Sequence, residues 1–270
     1  MTRYLMMFWY IVNCLRLRTN PWRFFQLNAQ YFNKKKGIYS KYDINRLIPI
    51  RWRLGQYLDS EAYFPAEFPV FLKPEWGQNS YGIFRADDLN ELKQIRKNTA
   101  NSDLTYLVQE AARESREFEV FYIRDAANPH EAAVLSVTEV KNSKESQYPI
   151  NGVHNIFSSY IDRTPQFTRD ELAQLWEHVS RVGHFRMARA ALKADSEVEL
   201  LAGNFHIVEI NLFTPMPLNL LDEVTPWREK AKFIKHAMVH LARNTAGLFK
   251  GQKEEGIFFK KLIMHYKVKS

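Results

Sequence analysis

Lys73 ends a short apolar run, Phe68-Pro69-Val70-Phe71-Leu72, and is followed by Pro74-Glu75-Trp76-Gly77-Gln78-Asn79-Ser80-Tyr81-Gly82. Pro69 and Pro74 bound the run as a short strand, so the lysine is delivered into a turn rich in Gly, Asn and Ser. An ammonium is a compact charge suited to phosphate oxygens, and glycines let backbone N–H groups approach those oxygens without a side chain in the way. Gly77 and Gly82 have GxxxxG spacing, but Ile83 and Phe84 stand where a P-loop needs Lys and Ser/Thr, which excludes that motif. A strand with a plain hairpin turn has the same pattern, and both readings stand at this level.

A second constellation lies late in the chain, in Phe205 to Leu212. Glu209 and Asn211 are two residues apart, so on a strand they project from one face while Val208 and Ile210 face the other way. A carboxylate beside an amide oxygen suits a hard cation such as Mg²⁺, which shares its oxygen ligands with phosphate. An alternating strand with one wet face looks alike. Gln109-Glu110 closes a strand from Leu104 to Val108, and Glu117 opens the next, through Ile123; on their own the two glutamates read as solvated loop charges.

The elements that would position these residues follow from periodicity. Ser40 is placed to cap a short helix with Lys41 in its first turn, and Asp87 to Ala100 has Leu89, Leu92 and Ile95 on one helical face. Val134 to Val140 reads as a strand ending at Lys141, and Asn142 to Tyr160 as polar and irregular. Thr168-x-x-Glu171 is a capping box that starts a helix reaching Phe185. Met187 to Asp195 and Phe205 to Leu212 read as antiparallel strands joined by a loop through Gly203-Asn204. Thr225-Pro226 supplies a cap and first turn for a helix to Phe249.

With 270 residues and 46% hydrophobic content the chain can bury its own core. One cysteine, Cys14, excludes a disulfide framework, and no HExxH spacing is present; the expected compartment is reducing and cytoplasmic. The net charge of +8 favours an anionic partner, but no RNA-recognition or zinc-finger pattern supports nucleic acid. Tyr4 to Val12 is densely aromatic and apolar and is followed by Arg16, Arg18 and Arg23. It is too short to span a bilayer, which needs about 20 residues; internal packing and an aromatic helix lying in a membrane interface both fit it. Residues 250–270 mix Lys250, Lys253, Lys260, Lys261, Lys267 and Lys269 with Phe258, Phe259, Leu262, Ile263 and Tyr266, and read as a basic tail or extra helix.

In their order, strand-Lys73 with its glycine loop, strand-Gln109-Glu110 with Glu117 seven later, and Val208-Glu209-Ile210-Asn211 resemble the ATP-grasp fold of D-alanine–D-alanine ligases and related carboxylate–amine ligases. The chain looks like a bacterial branch of that superfamily in which an aromatic N-terminal segment precedes a stretch like Ser40-Lys41-Tyr42-Asp43. The resemblance implies an α/β (α+β) architecture of two subdomains gripping ATP over residues 39–223, an N-terminal aromatic and basic segment over 1–38, and a C-terminal helix and tail over 224–270. It implies that Lys41 and Lys73 contact ATP phosphates under a lid of Gly77, Asn79, Ser80 and Gly82. Gln109 and Glu110 would line the adenine-side hinge, Glu117 would bind the ribose, and Lys141 would be a further nucleotide lysine. Arg189 would face the transferring phosphoryl group, and Glu209 and Asn211 would hold Mg²⁺. The implied reaction is phosphorylation of a carboxylate to an acyl phosphate with release of ADP, then capture by an amine.

The chain departs from the superfamily's pattern where Arg-x-Asp is common, since Arg189 is followed by Ala190-Ala191. Asp195 shares a strand face with position 191 but lies about 13 Å along it, too far to substitute without a bulge. Fewer than 65 residues precede the resembling part, too few for the usual N-terminal substrate domain, and Leu212-Phe213-Thr214-Pro215 replaces a glycine-bearing turn. Two further readings follow: an ATP-binding protein with a degenerate metal site, and a peripheral partner in envelope biosynthesis, at the inner membrane, whose aromatic, basic ends are the working surface.

Overall fold

The computed structural model describes residues 2–60, 62–77, 80–144, 148–249, 251 and 254–261. Among the described residues the named helices are α1 (Thr2–Arg16), α2 (Lys41–Asn45), α3 (Leu89–Thr99), α4 (Arg169–Val179), α5 (Glu197–Ala202) and α6 (Trp227–Ala246). The strands are β1 (Gln56–Leu58), β2 (Val70–Pro74), β3 (Phe84–Ala86), β4 (Tyr106–Glu110), β5 (Arg116–Arg124), β6 (Ala132–Asn142), β7 (Ser158–Asp162), β8 (Met187–Ala194) and β9 (His206–Asn211). They form two sheets, of order β1-β4-β2-β3 and β7-β6-β5-β8-β9, and every neighbouring pair is antiparallel.

Alternation of side chains divides the larger sheet. Phe118, Val120 and Tyr122 of β5, with Ala188, Ala190 and Leu192 of β8, pack against Leu175, Trp176 and Val179 of α4 and Leu200 of α5. The opposite face is split along its length. Phe121 and Ile123 of β5 and Met187 of β8 lie under α6 and α1, in contact with Ile234, Met238, Leu241, Tyr10 and Cys14. Further along the same strands that face carries Glu117, Glu119, Arg189 and Lys193. The segments expected to flank the core at the two chain ends therefore pack on one another, with Tyr10 Oη 2.9 Å from Thr245 Oγ1. In the smaller sheet Val70, Leu72 and Val108 pack on Leu92 of α3, which leaves Phe71 and Lys73 on the other face.

Several boundaries differ from those read in the sequence. β4 starts at Tyr106, not Leu104, and α4 ends at Val179 instead of Phe185, the chain turning through Gly183 at φ 64°. Val182 and Phe185 remain in the core beyond the helix, so the apolar spacing outlasts the helical hydrogen bonding. Pro226, not Thr225, is the N-cap of α6, which stops at Ala246. β7 begins inside the segment read as irregular and runs past its end at Tyr160; it is an edge strand with no buried residue to mark it. The β8–β9 connection is not a plain loop. It contains α5, capped by Ser196 Oγ, which accepts from Glu199 N, and closed by Gly203 at φ 79°.

Gly203 holds this connection in place. Its carbonyl accepts from Trp52 Nε1 at 2.8 Å, and an added Cβ would lie 2.6 Å from Arg51 Nη2 and 3.0 Å from the His178 ring. Left-handed backbone costs a non-glycine residue roughly 1–2 kcal/mol. Gly203→Ala should lower the urea unfolding midpoint accordingly, whereas Gly256→Ala, whose added Cβ meets nothing within 4 Å, should leave it unchanged. Equal midpoints for the two variants would remove this role from Gly203.

Candidate functional site

A cleft of about 1170 Å³, measured out to its open mouth, lies between the two sheets. Its floor is the charged half of the larger sheet, and its opposite wall is the Lys73 face of the smaller one. Loops after β2 and around residues 148–153 close it from the side, where Ser80 Oγ donates to the Asn151 carbonyl.

Lys73 is 3% exposed. Its ammonium donates to Gln109 Oε1 at 2.8 Å and to the Val208 carbonyl at 3.3 Å. Gln109 Nε2 donates to the same carbonyl at 3.0 Å. That acceptor exists because β9 is bulged: Ala191 pairs with Glu209 and Leu192 with Ile207, so Val208 is an extra residue. The bulge also corrects the expected facing of β9. Ile207 and Ile210 both enter the core, while Val208 turns toward the cleft with Glu209 and Asn211. Burial pushes the Lys73 ammonium down to about 7, with Lys41 acting in the same direction and Glu209 against it.

Register aligns the floor in rows. Glu119 of β5 sits opposite Ala191 of β8, which sits opposite Glu209 of β9; Glu117 sits opposite Lys193, and Phe121, Arg189 and Asn211 form the next row. Arg189 Nε lies 3.2 Å from Glu119 Oε2 without hydrogen-bond alignment, so both buried atoms lack a hydrogen-bond partner. Lys41 Nζ, at the first position of α2, is 3.6 Å from Glu209 Oε1. Burial pushes the Glu119 carboxyl up to about 7 despite Arg189. Burial also acts to raise Glu209, but Lys41, Lys73 and Arg189 outweigh it and hold that carboxyl below its ordinary range. Glu117 is raised by burial, which Lys193 and the Asn151 side chain offset in part; Asn151 Nδ2 donates to Glu117 Oε2 at 2.9 Å.

Most of the residues singled out in the sequence thus meet in one place: Lys41, Lys73, Gly77, Ser80, Gln109, Glu110, Glu117, Arg189, Glu209 and Asn211 all line the cleft. Lys141 does not. It is exposed and shares its face of β6 with Val137 and Glu139, whereas its neighbour Val140 points into the cleft. Gly82 is not a lining residue either; at φ 71°, with Pro74 Cγ 3.1 Å from where a Cβ would stand, it shapes the turn. Asn79 lies outside the described residues, as do Lys250, Lys253 and residues 262–270 of the expected tail. Asp195 accepts from Ser115 N at 2.9 Å and is not in the cleft. Glu110 is at the mouth, accepting from Gly55 N at 3.1 Å.

Sequence reasoning missed Glu119, Lys193, Tyr160 and Asn151. The first two had a signal: Glu117-x-Glu119 and Arg189-x-Ala191-x-Lys193 repeat the two-residue spacing that singled out Glu209 and Asn211. Among the described residues no three His, Cys, Asp or Glu side chains converge closely enough to hold a metal ion. The donors nevertheless fit a hard cation that brings its own phosphate oxygens, since Glu119, Glu209 and Asn211 share the floor and Glu119 Oε2 has no hydrogen-bond partner.

No family model and no curated relative matches the sequence. Solved structures do. VanG D-Ala:D-Ser ligase from Enterococcus faecalis matches with a TM-score of 0.51 at 14% identity, over 82% of this chain and 69% of that one. D-alanine–D-alanine ligase from Bacillus anthracis matches at 0.51 and 13%, over 77% and 66%, and L-amino acid ligase from Bacillus licheniformis at 0.46 and 16%, over 74% and 47%. The chain spans about half to two thirds of the length of these proteins. They are ATP-grasp enzymes, and the chain shares their fold, with mixed helix and antiparallel sheet; the likeness is at the level of fold.

The low ammonium value has a measurable consequence. Lys73 in the folded chain loses its proton near 7, while the unfolded chain keeps it to the ordinary value of 10.5. Its contribution to stability is therefore present above 10.5 and lost as pH falls to about 7. A polyanion beside Lys73 reverses the preference and draws a proton onto it. Calorimetric titration with ATP near pH 8.5, in buffers of different ionisation enthalpy, should show uptake approaching one proton. Lys73→Arg, permanently charged, should lose most of it. Identical uptake in both proteins would assign the titration to another group.

Proposed function

We propose that the chain is an ATP-dependent, ADP-forming ligase that activates a carboxylate as an acyl phosphate and joins it to an amine. The observation that carries the proposal is the Lys73 ammonium, buried in the cleft with only neutral hydrogen-bond acceptors and facing a floor of alternating carboxylates and cations. A buried cation held this way is completed by an anion from outside, and phosphate is the anion that Lys41, Lys73, Lys193 and Arg189 together suit. The fold shared with ATP-grasp enzymes supports ATP as its source.

In this reading Lys41 and Lys73 bind the phosphates, Lys193 takes the part first expected of Lys141, and Ser80 and Gly77 close over them. Gln109 and Glu110 with the apolar Phe71 and Ala112 border the base, and Glu117, oriented by Asn151, accepts from ribose hydroxyls. Glu209 and Asn211, joined by Glu119, would hold Mg²⁺, which when bound neutralises phosphate charge. Arg189 stands over the reacting centre, where a substrate carboxylate oxygen bonds to the γ-phosphorus as the bond to the β–γ bridging oxygen breaks and ADP leaves. An amine nitrogen then bonds to the acyl carbon, the carbon–oxygen bond to phosphate breaks, and the nitrogen gives up its proton. Positioning and charge stabilisation are the chain's contribution to both steps.

Ala191 favours a second reading. It offers no oxygen at the position between Glu119 and Glu209, as in a nucleotide-binding protein with little or no turnover. ADP release with pooled carboxylates, and trapping of the acyl phosphate by hydroxylamine as a hydroxamate, separate the two. The ligase reading expects carboxylate-dependent ADP and hydroxamate, both lower by about 10²-fold or more in Lys73→Met, and a melting temperature raised by ATP and Mg²⁺ in the wild type. A melting shift without carboxylate-dependent ADP would establish the second reading and overturn the first.

A further inference from the structure

α1 is apolar on two opposite faces. One is packed on α6, with Tyr10 and Cys14 buried. The other presents Tyr4, Met7, Phe8, Ile11 and Leu15, which are 77%, 58%, 57%, 41% and 67% exposed. Their spacing of three and four residues makes one continuous stripe along the helix. Beyond its end Trp22 is also exposed, with Phe259, itself exposed, 6.1 Å away ring to ring. Arg23 of the same segment donates to the carbonyl of Phe249, a further exposed aromatic, at 2.7 Å. A soluble surface seldom leaves so many large apolar groups contiguous unless something covers them.

Charge identifies the cover. The first 42 residues contain eight Lys/Arg and no Asp/Glu, so they account for the whole net charge of +8 and residues 43–270 balance to zero. Arg3, Arg16 and Arg18 are exposed at the two ends of the stripe. Apolar and aromatic side chains bordered by arginines, with no acidic group nearby in sequence, match an anionic lipid surface, to which each basic residue contributes about 1 kcal/mol. Spanning is excluded for α1, since its 15 residues extend only about 22 Å against a hydrocarbon core of about 30 Å. No described helix is long and apolar enough to cross a membrane. We propose that α1 lies in the interface of an anionic bilayer, with the Tyr4-to-Leu15 stripe at the headgroup–acyl boundary and Arg3, Arg16 and Arg18 against lipid phosphates. This holds whether or not the cleft supports ligation, because the stripe is outside it.

Co-sedimentation of the full chain with phosphatidylglycerol–phosphatidylcholine vesicles tests it. Binding is expected to these vesicles but not to phosphatidylcholine alone, and to fall at least tenfold between about 0.1 M and about 1 M salt, as the Debye length shrinks from about 10 Å to about 3 Å. Phe8→Glu with Ile11→Glu, and separately Arg16→Glu with Arg18→Glu, should each weaken binding at least tenfold at an unchanged melting temperature. Absence of wild-type binding to the anionic vesicles, or equal binding by the variants, overturns the proposal. So does a dimer in sedimentation velocity that dissociates on Phe8→Glu with Ile11→Glu, since a second copy would then cover the stripe.

Discussion

Everything in the cleft depends on how an ammonium is kept between two sheets. Lys73 and Gln109 come from the smaller sheet, yet both donate to the Val208 carbonyl on β9 of the larger one. One backbone oxygen therefore ties the walls together and satisfies the donors that burial would otherwise leave costly. Neutral acceptors solvate a lysine without cancelling its charge, and this combination keeps Lys73 near its titration point and open to an anion.

The second constraint is the division of one sheet face. Along β5 the order Glu117, Glu119, Phe121, Ile123 places two carboxylates and then two apolar groups on the same side; β8 runs the opposite way through Met187, Arg189, Ala191 and Lys193. α6 and α1 cover the apolar half, so the site begins where their cover ends. The helix that presents an apolar stripe outward is thus the outer layer over the apolar half of the sheet whose other half carries the charged rows. Surface and cleft share one support.

Features that depend on a few neighbouring residues are legible in the sequence. The Ser40 cap before Lys41, the Thr168–Glu171 capping box and the strand delivering Lys73 all appear as read. Features that exist only through partners are not. β1 and β3 are three residues each and are defined by pairing to β4 and β2. Lys141 and Lys193 both sit near strand ends, and only the strand's facing separates the one turned to solvent from the one beside Glu117. Glu119 gains its place from registry with Ala191 and Glu209, which no local spacing states. β9 misled because its alternation changes phase at Val208.

That phase change separates heredity of the fold from heredity of the site. Phe205 and Ile207 on one side of Val208, and Ile210 and Leu212 on the other, are core residues whose alternation is interrupted by one position. Loss of the single codon for Val208 would restore an uninterrupted strand, with Ile207 and Ile210 still inward and Glu209 and Asn211 still toward the cleft. The carbonyl that receives Lys73 and Gln109 would be gone. Descendants of such a deletion would keep every side chain by which the site is recognised and lack a backbone oxygen, invisible to a comparison of side chains, that links its two walls.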